Sequence, residues 1–125
     1  MLVDDDDLQR RSISGLLTAF GHDVIEFSDG RPAMDSVYLD RVDAILTDLA
    51  MPTPGEELIK EVRRSGMRIP IIAMSGEMNQ KSDYIKSIGA QVALQKPFSL
   101  SCLIELLPSL MDGAVSGKEV PALAV

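Results

Sequence analysis

The chain has 125 residues, a length that fits one domain with its own hydrophobic core. Its net charge of −7, without dense runs of lysine or arginine, argues against binding to nucleic acid or to an anionic membrane surface. The single cysteine excludes an internal disulfide, and no apolar stretch approaches the roughly 20 residues of a membrane span. We therefore expect a cytoplasmic domain with no nucleic-acid or membrane partner.

Apolar residues in the first part of the chain alternate between the spacing of strands and the spacing of amphipathic helices. A short apolar run at 2–3 stops at a series of aspartates. Residues 8–20 then carry apolar side chains three or four positions apart, which predicts a helix capped by Asp7. A strand over 24–27 and a helix over 31–39 follow. Two strand–helix units are therefore predicted before residue 40.

The rest of the chain repeats this order three times. The predicted elements are a strand over 44–47, a helix over 56–65, a strand over 71–74, a helix over 80–88, a strand over 92–94 and a helix over 99–111. Regular alternation of strands and helices is typical of parallel strands joined by helical crossovers. The sequence therefore predicts an α/β fold with a five-stranded parallel sheet and helices on both faces.

The predicted domain ends with the last predicted helix. We expect one domain over residues 1–111, followed by a tail or the start of a linker over 112–125. The helix over 99–111 carries more apolar residues than a one-sided surface helix needs. Either it packs into the core, or its surplus apolar surface, with the helix over 80–88, contacts a second copy of the chain or an output partner.

The residues that end the predicted strands carry the chemistry, because ligands of open parallel sheets bind at the carboxyl ends of the strands. The first strand ends in Asp4 and Asp5, the third in Asp48, the fourth in Ser75 and the fifth in Lys96. Three close carboxylates repel one another unless a hard cation such as Mg²⁺ binds among them. A lysine and a hydroxyl beside them suit a phosphoryl group. The residues therefore predict Mg²⁺-assisted phosphoryl transfer to a carboxylate.

Four motifs close these strands in an order that resembles the receiver domains of two-component response regulators, including the chemotaxis regulators. The resemblance covers about residues 1–111. The motifs are Val3-Asp4-Asp5-Asp6, Asp48-Leu49-Ala50-Met51-Pro52, Ser75-Gly76 and Lys96-Pro97-Phe98. The resemblance implies a flavodoxin-like (βα)5 fold with the strand order 2-1-3-4-5.

The same resemblance implies a role for each matching residue. Asp48 would accept a phosphoryl group from the phosphohistidine of a histidine kinase or a phosphotransfer protein. Ser75 and Lys96 would contact the phosphoryl oxygens, and the bond from Lys96 to Pro97 would be cis. The implied ligands of the Mg²⁺ cofactor are Asp4 (largely through water), Asp5, Asp48 and the backbone carbonyl of Ala50. The chain would be a switch and not an enzyme, catalysing only its own phosphorylation and slow dephosphorylation.

One position departs from the family pattern and affects how the switch would signal. Many receivers place a tyrosine or phenylalanine three residues before the lysine, where it rotates inward on activation, but this chain has Ala93. We therefore expect output to rely on the loop after Ser75 and on the helix over 80–88.

Three other functions stay open at this point. Ala93 is compatible with a degenerate receiver that binds partners without phosphorylation, although the intact acidic pair, acceptor, hydroxyl and lysine argue against it. A phosphohydrolase of the haloacid dehalogenase type would carry a second aspartate where this chain has Ala50. A flavin carrier would need a Ser/Thr- and Gly-rich phosphate loop after the first strand, and aspartates stand there instead.

Overall fold

The computed structural model describes residues 1–112 and shows five parallel strands in one sheet, in the order β2-β1-β3-β4-β5. The strands are β1 (Leu2–Val3), β2 (Glu26–Phe27), β3 (Ile45–Asp48), β4 (Ile71–Ser75) and β5 (Val92–Gln95). The helices are α1 (Asp7–Ala19), α2 (Gly30–Met34), α3 (Gly55–Arg64), α4 (Ser82–Ser87) and α5 (Leu100–Met111). This confirms the predicted α/β class and the strand order 2-1-3-4-5. The predicted tail, beyond its first residue, lies outside the described residues.

The two faces of the sheet are covered by different helices, because successive strand residues point in opposite directions. In β4, Ile71 and Ala73 pack in the hydrophobic cluster that contains α3 and parts of α2 and α4. Their neighbours Ile72 and Met74 pack in a second cluster with α1 and α5. All four side chains are fully buried. The expectation of helices on both faces is confirmed.

The register of the central strands brings the predicted site residues together. Val3 of β1 pairs with Thr47 of β3, so Asp4 and Asp48 leave the sheet side by side. Asp48 pairs in turn with Met74, the residue before Ser75. Because all the strands run parallel, their carboxyl ends lie along one edge of the sheet.

The first helix begins one residue earlier than the sequence predicted. Asp6, and not Asp7, is the N-cap, since its backbone is extended and its carboxylate accepts a hydrogen bond from the amide of Gln9. Asp7 is the first helical residue, where its negative charge suits the positive end of the helix dipole. The acidic run therefore supplies the helix cap as well as site carboxylates.

The second helix is much shorter than the predicted 31–39. It ends at Met34, and the Ser36 hydroxyl then accepts a hydrogen bond from the amide of Tyr38. Such local side-chain to backbone bonds compete with helical hydrogen bonding. Val37 and Tyr38 are exposed, so the apolar spacing in this segment does not mark a buried helical face.

The last helix uses most of its apolar surface for the core. Leu103, Leu106, Leu107 and Leu110 are buried against the sheet and α1, whereas Met111 is 36% exposed. Core packing therefore accounts for most of its apolar residues. Within residues 1–112, no helix combines the length and the apolar content needed to span a membrane.

Candidate functional site

Three carboxylates form an acidic cluster at the carboxyl edge of the sheet. One oxygen from each of Asp4, Asp5 and Asp48 lies within 4.8 Å of the others. Asp4 and Asp48 are buried at the ends of β1 and β3, whereas Asp5 is exposed in the turn that leads into α1. Carboxylate oxygens at this spacing suit a hard divalent cation, for which Mg²⁺ and Ca²⁺ are the usual choices.

Asp4 is the residue of the cluster with a buried carboxylate oxygen that lacks a hydrogen-bond partner. Its Oδ1 accepts the amide of Asp6 at 3.0 Å, and Arg10 Nη1 donates to its backbone carbonyl at 2.8 Å. Its Oδ2 is buried and has no hydrogen-bond partner. Burial is the main cause that raises the pKa of Asp4 from the usual 3.8 to about 6, against the opposing effects of the Asp6 amide and Lys96. A buried carboxylate oxygen without a partner fits a cation ligand.

Asp4→Asn should raise the thermal stability of the metal-free protein at pH 7.5 by roughly 5 °C, because it removes a buried charge. The pKa of Asp4 is higher in the folded state than its usual value, so protonation favours folding. The stability that Asp4 contributes is full below pH 3.8 and is lost as the pH rises through about 6. Melting temperatures in EDTA at pH 5 and 7.5 should therefore differ more for the wild type than for the variant.

The exposed Asp40→Asn provides a matched control, since it removes one negative charge that lies outside the cluster. It should leave the pH dependence of melting as in the wild type. Equal pH dependence for the wild type and Asp4→Asn would contradict the assignment of this titration to Asp4.

Lys96 brings a positive charge to the cluster. Its Nζ donates to Asp48 Oδ2 at 2.9 Å, and both side chains are mostly buried. The other oxygen of Asp48 accepts the amide of Ala50 at 3.3 Å. The bond from Lys96 to Pro97 is cis, as the resemblance implied. Asp48 is therefore held by a cation on one side and by its own loop on the other.

Ser75 lies at the carboxyl end of β4, on the strand beside Asp48, and is buried. Its hydroxyl accepts a hydrogen bond from the amide of Glu77 at 3.0 Å. The backbone carbonyl of Ser75 accepts the amide of Lys96 at 2.8 Å, which joins β4 to the end of β5. The structure thus places Ser75 next to the carboxylates and the lysine, in contact with its own loop.

Ala50 and Ala93 both have side chains that add no polar group to the site. Ala50 is exposed two residues after the end of β3, and its amide donates to Asp48 of the acidic cluster. Ala93 is buried in β5 opposite Ala73 of β4. The interior position where many receivers carry an aromatic ring is therefore filled by a small side chain.

Sequence reasoning missed Gln9, whose Oε1 accepts a hydrogen bond from Lys96 Nζ at 2.5 Å. The two residues are 87 positions apart, and no local pattern relates them. The only available signal is its place in the first turn of a helix that starts beside the acidic cluster.

Gln95 was also missed. Its Nε2 donates to the carbonyls of Gly76 and Lys96, both at 2.7 Å, and its Oε1 accepts the amide of Asn79 at 3.0 Å. The side chain therefore ties the loop after Ser75 to the end of β5. The only feature of the sequence that could have pointed to Gln95 is its position directly before Lys96.

Comparisons with known proteins agree with this geometry. The family described as the response regulator receiver domain matches residues 1–108. The response regulator MprA of Mycolicibacterium vanbaalenii is 32% identical over 114 residues, which are 89% of this chain and 49% of that protein. The chain thus spans about half the length of the curated relatives it matches.

Solved structures show the same similarity in three dimensions. The receiver domain of the Francisella response regulator 1452 has a TM-score of 0.84 and 26% identity, over 90% of this chain and 95% of that one. The receiver domain of the sensor histidine kinase PA1611 from Pseudomonas aeruginosa PAO1 has a TM-score of 0.79 and 30% identity, over 89% of this chain and 94% of that one. The latter structure has a magnesium ion coordinated in its active-site cleft. This chain belongs to the response regulator receiver domain family.

Proposed function

We propose that this domain accepts a phosphoryl group on Asp48 from a phosphohistidine and so switches its contacts with other proteins. The observation that carries the proposal is the 2.9 Å contact of Asp48 with Lys96, within an acidic cluster whose ligand oxygens lie within 4.8 Å of one another. A nucleophilic carboxylate, a cation for the phosphoryl oxygens and a metal-binding group are the parts that phosphoryl transfer requires.

The side chains of Asp4, Asp5 and Asp48 fit Mg²⁺, and the unpartnered Oδ2 of Asp4 supports this choice. We propose Asp5 and Asp48 as direct ligands, with the backbone carbonyl of Ala50 beside them and Asp4 acting largely through water. Mg²⁺ bound there would neutralise part of the negative charge on the transferring phosphoryl group.

Three residues of the chain take part in the transfer itself. A carboxylate oxygen of Asp48 attacks phosphorus and forms a P–O bond, while the P–N bond of phosphohistidine breaks and its electron pair stays on the imidazole. The Lys96 ammonium moves from the carboxylate to the phosphoryl oxygens, and the Ser75 hydroxyl donates a hydrogen bond to them. The domain is thus a phosphoacceptor, and its own catalysis extends only to its phosphorylation and slow dephosphorylation.

Incubation with acetyl phosphate tests this proposal directly. Intact-mass measurement should show a gain of one phosphoryl group in the presence of Mg²⁺ and none in EDTA. Absence of any gain in a folded protein would contradict the proposal and favour a receiver that binds its partners without phosphorylation.

We propose that the output passes through the segment after β4, which contains α4, and through the exposed surface of α5. A second copy of the chain or an output partner would dock there, and the exposed Tyr84 gives the surface of α4 an apolar contact. With Ala93 in β5, the loop after Ser75 has to carry the movement. Two hydrogen bonds of Gln95, to Gly76 and Asn79, hold that loop in the unphosphorylated state.

Gln95→Leu should release this loop without phosphorylation. We expect amide NMR signals of residues 76–88 to shift part of the way towards their positions in the phosphorylated wild type, with a stability loss of about 1 kcal/mol. The exposed Gln80→Leu is the matched control; it should shift only the signals of its immediate sequence neighbours, and not towards their positions in the phosphorylated protein. A phosphorylated wild-type protein whose signals over 76–88 do not move would contradict this route of output.

A further inference from the structure

Gln9 contacts the active-site lysine from an element outside the four motifs. Its Oε1 accepts Lys96 Nζ at 2.5 Å while the same nitrogen donates to Asp48 Oδ2 at 2.9 Å. An ammonium group has three N–H donors, so these two contacts leave one for a further acceptor. We propose that Gln9 is a positioning residue that holds the Lys96 ammonium in place for phosphoryl transfer, an inference that rests on the proposed function.

The backbone of Gln9 is fixed by the start of α1. Its amide donates to the carboxylate of the N-cap Asp6 at 3.2 Å, so the side chain leaves the first turn of the helix in a defined direction. Gln9 also lines an open cleft of about 310 Å³ with Lys96 and Phe98.

A glutamine suits this task better than a carboxylate would. A lysine side chain has many rotamers to lose, so a second acceptor lowers the entropic cost of ordering it before the reaction. Because the carboxamide is neutral, it orients the ammonium without cancelling its charge. The full charge of Lys96 then remains available to the phosphoryl oxygens.

The position of Lys96 can be measured without any phosphorylation. Side-chain ¹H–¹⁵N NMR should show an ordered ammonium signal for Lys96 in the wild type, assigned by its loss in Lys96→Arg. Gln9→Leu, which keeps the size but removes the acceptor, should broaden or abolish this signal. Gln9→Glu keeps the acceptor and should keep the signal. The matched control is Ser12→Ala, one helical turn further along α1 in the same cleft, and it should change nothing.

The rate of phosphorylation by acetyl phosphate is the second readout. Gln9→Leu should lower the maximal rate about tenfold, since one hydrogen bond to a charged group is lost, while the melting temperature stays close to that of the wild type. Gln9→Glu should also be slower, because its charge draws the ammonium away from the phosphoryl group. A residue with a merely structural role would lower the melting temperature and leave the ammonium signal and the maximal rate unchanged.

The two proposals fail in different ways. A wild-type protein that gains no phosphoryl group contradicts the proposed function, whatever Gln9 does. A wild-type protein that is phosphorylated, with Gln9→Leu reacting at the same rate and keeping the ordered Lys96 signal, overturns only the role of Gln9.

Discussion

Asp48→Asn should abolish the Mg²⁺-dependent gain of a phosphoryl group from acetyl phosphate. Intact-mass measurement should detect no phosphorylated protein. The amide nitrogen and oxygen of asparagine lack the negative charge and the nucleophilicity of a carboxylate. Asparagine has nearly the same shape, so the variant should fold, and Lys96 loses only the charge of its partner. The expected result is a folded, inert protein, whereas the wild type gains one phosphoryl group.

A matched control is Asp23→Asn, because Asp23 lies beside Val24 and Ala44, at the opposite edge of the sheet from the acidic cluster. This control should be phosphorylated as the wild type is. Retained labelling in Asp48→Asn would place the acceptor on another residue, which peptide mapping of the phosphorylated variant would then locate.

Gly55→Ala should destabilise the domain by about 3 kcal/mol, near the upper end for overpacking. A Cβ on Gly55 would overlap the backbone carbonyl oxygen of Asp48 and would lie 2.9 Å from Leu49 Cα. These are backbone atoms at the end of β3 and of the residue that follows it, and they cannot turn away as a flexible side chain would. The amide of Gly55 also donates to the Leu49 carbonyl at 3.0 Å. Moving the start of α3 away from the end of β3 to admit the Cβ would therefore strain this hydrogen bond as well.

Urea denaturation of Gly55→Ala should therefore show a lower midpoint than the wild type. Gly15→Ala is the matched control, since Gly15 lies inside α1, is exposed, and a Cβ there meets nothing within 4 Å. It should stabilise the domain by up to about 1 kcal/mol, because alanine is the better helix former. Equal midpoints for Gly55→Ala and the wild type would show that the end of β3 can shift to admit a side chain. Any such shift should slow phosphorylation of Asp48.

The fold and the meeting of the polar strand-end residues at one edge of the sheet could be predicted because their signals are local. Each strand is a short apolar run, each helix has apolar side chains at helical spacing, and their alternation restricts the sheet to parallel pairing. Parallel pairing then places Asp4, Asp48, Ser75 and Lys96 at one edge without any knowledge of side-chain packing. The first residue of α1 could not be predicted in this way, since the choice of Asp6 over Asp7 as N-cap depends on a backbone angle and one hydrogen bond.

Predictions based on apolar spacing failed where tertiary packing decided the outcome. Met34, Val37 and Tyr38 have helical spacing, but the hydroxyl of Ser36 accepts the Tyr38 amide in a turn and the helix stops. The surplus of leucines in α5 left a choice between core and partner surface. The structure buries most of them, because the sheet and α1 together cover a wide part of the helix.

The sequence by itself determined the alternation of strands and helices, the parallel sheet and the set of acidic, hydroxyl and lysine residues at its carboxyl edge. Only the tertiary structure decided that Lys96 lies between Asp48 and Gln9, and that Gln95 ties the loop after Ser75 to β5. The physical reason is that periodicity reports which face of one element is buried. Contacts between side chains far apart in the chain depend instead on how the elements pack against one another, and no local pattern records that packing.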